Sequence, residues 1–174
     1  MSKIRFAFVC GLVLVAYLIG SLFRGWGSER QQQQELLSKL RAVVEKKQQR
    51  TDEEVVLRLK GHTGFEWDRV YIFAPYTPVE LIDQALGYTW PRARTTGIED
   101  FDSFFLMVFT SDGKVVSHLE YPTEMGSSIL NYGVDRKLKG FSPEEAVFRV
   151  EIEDGGVVLR RLDKSVAPGT PQSE

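Results

Sequence analysis

Residues 64–90 read GFEWDRVYIFAPYTPVELIDQALGYTW, and the passage from strand to helix inside them decides the fold. Two of the chain's three tryptophans and three of its six tyrosines fall here, so its largest side chains gather around this stretch. Val70, Ile72 and Ala74 alternate with Tyr71, Phe73 and Pro75, leaving no polar position. A β-branched and aromatic run of this kind predicts a strand covered on both faces and central in its sheet. Pro75 has no N–H for a ladder and ends it. Thr77 then reads as an N-cap. Its hydroxyl is expected to accept the Glu80 N–H while the Glu80 carboxylate reaches back to the Thr77 N–H, with Pro78 at the first helical position. Val79, Leu81, Ile82, Ala85 and Leu86 supply the buried face, and Gly87 stops the helix.

The string Trp67-Asp68-Arg69-Val70-Tyr71-Ile72-Phe73-Ala74-Pro75-Tyr76-Thr77 resembles a W-D-x-V-Y-x-F-x-P-Y-T pattern of small bacterial membrane-anchored or lipoprotein-like proteins. The resemblance covers about a dozen residues and implies a protein of the bacterial envelope. It carries over no catalytic residue.

Upstream, residues 6–23 (FAFVCGLVLVAYLIGSLF) hold no charge. About 18 apolar residues make roughly 27 Å of helix, enough to span a bilayer. No small-residue cleavage site follows cleanly, and Cys10 is too early and too poorly flanked for lipid attachment, so an uncleaved signal-anchor is expected. Lys3, Arg5 and the α-amino group outnumber Arg24 and Arg30, which places the N-terminus in the cytoplasm and the C-terminal domain in the periplasm or outside the cell. Cys10 is the only cysteine, so the remainder is thiol-free, as suits an oxidising compartment. A net charge of −2 argues against nucleic acid, whose phosphates require clustered Lys and Arg.

From Ser28 to Gln49 the chain is polar except for Leu36, Leu37, Leu40, Val43 and Val44, one stripe of a 3.6-residue helix. The stripe either packs on its own domain or forms a short coiled-coil homodimer. Strands are predicted at Val55–Leu59, Asp102–Thr110, Lys114–Tyr121, Ala146–Glu153 and Val157–Leu162 in addition to the central one. Asp112-Gly113 marks a tight hairpin and Asp154-Gly155-Gly156 another turn. Residues 163–174 have little to bury and read as a disordered tail. The expected fold class is α+β: a transmembrane anchor (1–24), a juxtamembrane helix (25–50) and a globular domain (51–162). That domain is expected to be a mostly antiparallel sheet, β-β-α-β-β-β-β, with one helix packed on it. Val70, Ile72, Phe73, Leu81, Ile82, Phe104, Leu106 and Val108 should be buried together.

No catalytic, cofactor or metal signature occurs. His118 and Glu120 share a strand face without a third ligand, and Glu99, Asp100 and Asp102 form an acidic loop without calcium-site spacing. The residues singled out for partner binding are Tyr88, Trp90, Arg92 and Arg94 in the loop after Gly87, because Trp, Tyr and Arg concentrate binding energy when desolvated. The expected function is a membrane-anchored, extracytoplasmic protein-binding module rather than an enzyme: a sensor, an envelope assembly factor or an immunity protein. The alternative is a small envelope enzyme in which His62 or His118 meets a carboxylate.

Overall fold

The structure, a computed structural model, describes residues 29–126, 139–153 and 156–162. Residues 29–49 are helical (α1). There follow β1 (Val55–Arg58), a 3-10 turn at Leu59–Gly61, β2 (Arg69–Phe73), α2 (Val79–Leu86) and α3 (Pro91–Thr96). Then come β3 (Phe104–Ser111), β4 (Lys114–Pro122), a second 3-10 turn at Thr123–Met125, β5 (Val147–Glu153) and β6 (Gly156–Arg161).

Among the described residues six strands form two antiparallel sheets of three, ordered β1-β5-β6 and β2-β3-β4, which corrects the single sheet expected from sequence. The physical reason lies in the strand patterns. Along β3, Phe104 to Thr110 are all buried, whereas β5 alternates buried Phe148 and Val150 with exposed Arg149. A strand dry on both faces and a strand wet on one belong to different layers. The expected membrane span, residues 6–23, and the tail from 163 lie outside the described residues. No helix among the described residues is long and apolar enough to cross a membrane.

One face of the β2-β3-β4 sheet presents Val70, Ile72, Phe105, Met107 and Phe109 to a core shared with Leu57, Phe148 and Leu159 of the other sheet. Leu36, Leu40 and Val44 of α1 are buried in this same core, so the stripe packs on its own domain. The opposite face presents Tyr71, Phe73, Leu106 and Val108 to α2 and α3, which contribute Val79, Ile82, Ala85 and Ala93. The residues expected to be buried together are therefore divided between two cores, and Leu81 is only half-buried. β2 is likewise an edge strand and not the central one; β3 is central. Its outer edge is partly covered by Phe141, which exchanges backbone hydrogen bonds with Val70 at 2.9 and 2.8 Å. A single-residue bridge suffices to keep a dry edge strand from presenting its whole unpaired backbone.

The start of α2 differs from the expected capping box. Pro78 occupies the N-cap position, and the Thr77 hydroxyl donates back to Ala74 O at 2.6 Å. The helix-starting N–H of Val79 donates instead to Glu99 Oε1 at 2.8 Å, a carboxylate 20 residues away. A negative group here also meets the positive end of the helix dipole. Gly87 ends α2 at φ 81°, as its type predicts, with its N–H on Asp83 O.

Candidate functional site

The sequence stretch after Gly87, expected to be a loop, contains the short helix α3. Pro91 stands at its first turn, where a missing N–H costs nothing, and Gly97 closes it at φ 72°. Trp90 precedes it and is buried, its backbone N–H donating to Asp83 Oδ1 at 2.8 Å. The indole meets the His118 ring edge-on, with centroids 5.4 Å apart and planes at 74°. Sequence reading placed Trp90 beside Arg92 and Arg94 but did not connect it with His118, since only the β3–β4 register brings them together.

His118 faces α3 because it pairs directly with Val108, whose side chain lies in the α2–α3 core. α1 approaches from the other side. Glu29 and Gln33, four residues apart and hence on one helix face, both reach the imidazole. Gln33 Nε2 lies 3.2 Å and Glu29 Oε1 3.4 Å from His118 Nδ1. Burial lowers the His118 pKa, the Arg92 charge lowers it further, and Glu29 pulls the other way. Both ring nitrogens lie within reach of the Gln33 amide, Nδ1 at 3.2 Å and Nε2 at 3.5 Å, and the tautomer decides which of them accepts. Arg92 Nη1 is ion-paired with the same Glu29 oxygen. One carboxylate on α1 thus joins α3 to β4.

These groups border a cleft of about 270 Å³ between α1, α3 and β4, whose walls also include Arg30 and Glu120. Glu120 is exposed overall, and partial desolvation at the cleft raises its carboxyl above the usual range. The expected sharing of a strand face by His118 and Glu120 is what places both here. Among the described residues no group of three or more His, Cys, Asp and Glu is arranged to hold a metal ion.

The other singled-out residues are spread over a wider surface. Tyr88 is partly exposed, and its hydroxyl oxygen accepts the Val115 N–H at 3.0 Å. Arg94 is exposed and lies 3.5 Å from Glu80. His62 lines a separate cleft of about 260 Å³ with Gln32 and Glu35 of α1; burial and the Lys39 charge lower its pKa. Of the acidic loop, Glu99 caps α2 while Asp100 and Asp102 are exposed. Tyr76, exposed at φ 60°, was not singled out from sequence. Its N–H donates to Ile98 O at 2.8 Å, which holds a left-handed conformation rare for a bulky residue.

Comparison with known proteins found no family model, no curated protein and no solved structure that matches the chain.

Proposed function

We propose that the chain is a membrane-anchored, extracytoplasmic binding module of the bacterial envelope, acting by recognition of another envelope protein as a sensor, an assembly factor or an immunity protein. The anchor is the uncharged run at 6–23, on the strength of its length and composition. The observation that carries the reading is the docking of α1. Its apolar stripe is built into the main core, and its first described turn is tied to α3 and β4 through Glu29 and Gln33. The helix next to the apolar run is therefore a rigid part of the domain, an arrangement that lets an event on the α3–β4 surface be felt at the anchor. Arg92, Arg94 and Tyr88 give that surface accessible side chains of the type found at binding hot spots.

Two measurements test it. A Lys114→Cys, Cys10→Ser chain in intact cells should react with a membrane-impermeant maleimide; reaction only after lysis would place the domain inside and overturn the assignment. Capture from membranes in mild detergent should retain a specific envelope protein, and Arg92→Ala, Arg94→Ala should lose it at a stability cost of no more than about 1 kcal/mol, the worth of the partly exposed Arg92–Glu29 pair.

A second reading, a small envelope enzyme, is favoured by one specific observation: a neutral buried histidine stands against a carboxylate in a cleft. Turnover of an envelope metabolite that vanishes in His118→Asn, with the fold intact, would establish it over the first.

A further inference from the structure

We propose that the cleft between α1, α3 and β4 binds a small zwitterion of the α-amino acid class, its ammonium on the Glu120 carboxylate and its carboxylate on the Arg30 guanidinium. The inference goes beyond the tethered-module reading and does not depend on it, because every group involved lies in the folded domain.

The charges of the cleft supply the reasoning. Four ionised side chains line it: Glu29, Arg30, Arg92 and Glu120. Glu29 and Arg92 satisfy each other. Arg30 and Glu120 are both exposed at the cleft, hydrated, and make no ion pair with any described residue, so one positive and one negative group border the same cleft. An amine alone would leave Arg30 unanswered, and an acid alone would leave Glu120. A molecule carrying both charges answers both, and opposite potentials facing across an interface are what recognition of such a ligand requires.

Size and the remaining wall agree with this. At about 270 Å³ the cleft falls below the roughly 300–1,000 Å³ of sites that enclose drug-sized ligands. A free amino acid is of the right order. Thr95 donates its hydroxyl proton to Arg92 O at 2.9 Å, which leaves its oxygen able to accept from an ammonium, while the Thr96 oxygen already accepts the Ile98 N–H at 3.3 Å. Glu120 is exposed at the mouth of the cleft, and the partial desolvation that raises its carboxyl is offset by an arriving cation.

The test uses the full chain in detergent micelles, titrated calorimetrically with each free α-amino acid, with ethylamine and acetate as single-charge controls and with the N-acetylated amino acids. At least one free amino acid should bind saturably below about 10 mM. Glu120→Gln and Arg30→Gln should each weaken that binding at least tenfold, while Arg58→Gln on distant β1 should leave it unchanged. N-acetylation should abolish it. The proposal is overturned if no free amino acid binds, if ethylamine or acetate binds as tightly as the zwitterion, or if binding survives Glu120→Gln. Failure of the maleimide experiment above would remove the extracytoplasmic assignment and leave this titration standing.

Discussion

Asp68 Oδ2 accepts the backbone N–H of Asp112 at 2.7 Å, joining the entrance of β2 to the tip of the β3–β4 hairpin. Its other oxygen accepts the Thr110 hydroxyl at 3.0 Å. Asp112 and Gly113 have φ of 50° and 71°, the positive values that a two-residue type I′ turn demands. Asp112 lacks glycine's freedom, and the Asp68 carboxylate holds it in place. Asp68→Ala should therefore cost about 2 kcal/mol, since hydrogen bonds to a charged group contribute about 1.5–3 kcal/mol each and this site is open to water. Urea titration of wild type and variant should show a lowered midpoint at unchanged slope. An unchanged midpoint would mean that the turn holds itself.

Glu99 caps α2 from outside the helix, so its loss should be felt there. Glu99→Ala should cost about 1 kcal/mol, the ordinary worth of an N-cap bond, and Glu99→Gln should recover part of it through the retained acceptor. Glu80→Ala should cost far less, because Glu80 points to Arg94 at an exposed 3.5 Å contact. If Glu80→Ala is the more damaging change in thermal melts, the capping geometry described above is wrong.

Ser117 presents the opposite case. Its hydroxyl is buried beside the main core and has no hydrogen-bond partner among the described residues. Ser117→Ala removes a desolvated polar group at little cost in volume and should stabilise by about 1 kcal/mol. Loss of stability on this substitution would show that the hydroxyl does find a partner.

His118 should make stability depend on pH. Its folded pKa lies below the ordinary 6.5, so between the two values the unfolded chain binds more protons than the folded one. Stability is then full above pH 6.5 and falls as pH drops through that window. Arg30 and Glu29 from α1, Arg92 from α3 and Glu120 from its own strand are the charges around it. Glu120 works in the other direction: raised above 4.5, it favours the folded state on protonation and withdraws that contribution as pH rises. His118→Gln should flatten the loss below pH 6.5 in urea midpoints taken across pH. A slope identical to wild type would assign the dependence elsewhere.

Gly140 allows β2 its bridge to Phe141. At φ 63°, a β-carbon here would stand 3.0 Å from Val70 O and 3.1 Å from the Tyr71 ring. Gly140→Ala should destabilise by about 1–3 kcal/mol through backbone strain alone, which a lowered melting temperature would register. Tolerance would mean that the bridge is free to shift.

Much of this architecture is legible in the residues. Each predicted strand exists within a residue or two of its expected bounds, because alternation and turn residues report local conformation directly. Asp112-Gly113 forms the hairpin it predicts. What the sequence conceals is whatever depends on distant partners. Thr77 and Glu80 satisfy the capping-box spacing, yet Glu99 takes the role because the α3–β3 connection returns past the start of α2. β2 is dry on both faces without being central, since two cores and the Phe141 bridge surround an edge. The cleft was half visible: His118 and Glu120 stand two apart on one strand, but Glu29, Gln33 and Arg92 join them only through tertiary packing.

Because β3 is apolar at every position from Phe104 to Phe109, the difference between its two faces is one of shape and not of polarity. Slipping such a strand by one residue exposes nothing charged and buries nothing polar, so the pattern that usually punishes misalignment is silent. The Asp68 clamp and the two left-handed residues at the hairpin tip can form only in one alignment. They thus fix the count of residues along the strand where its apolar pattern does not.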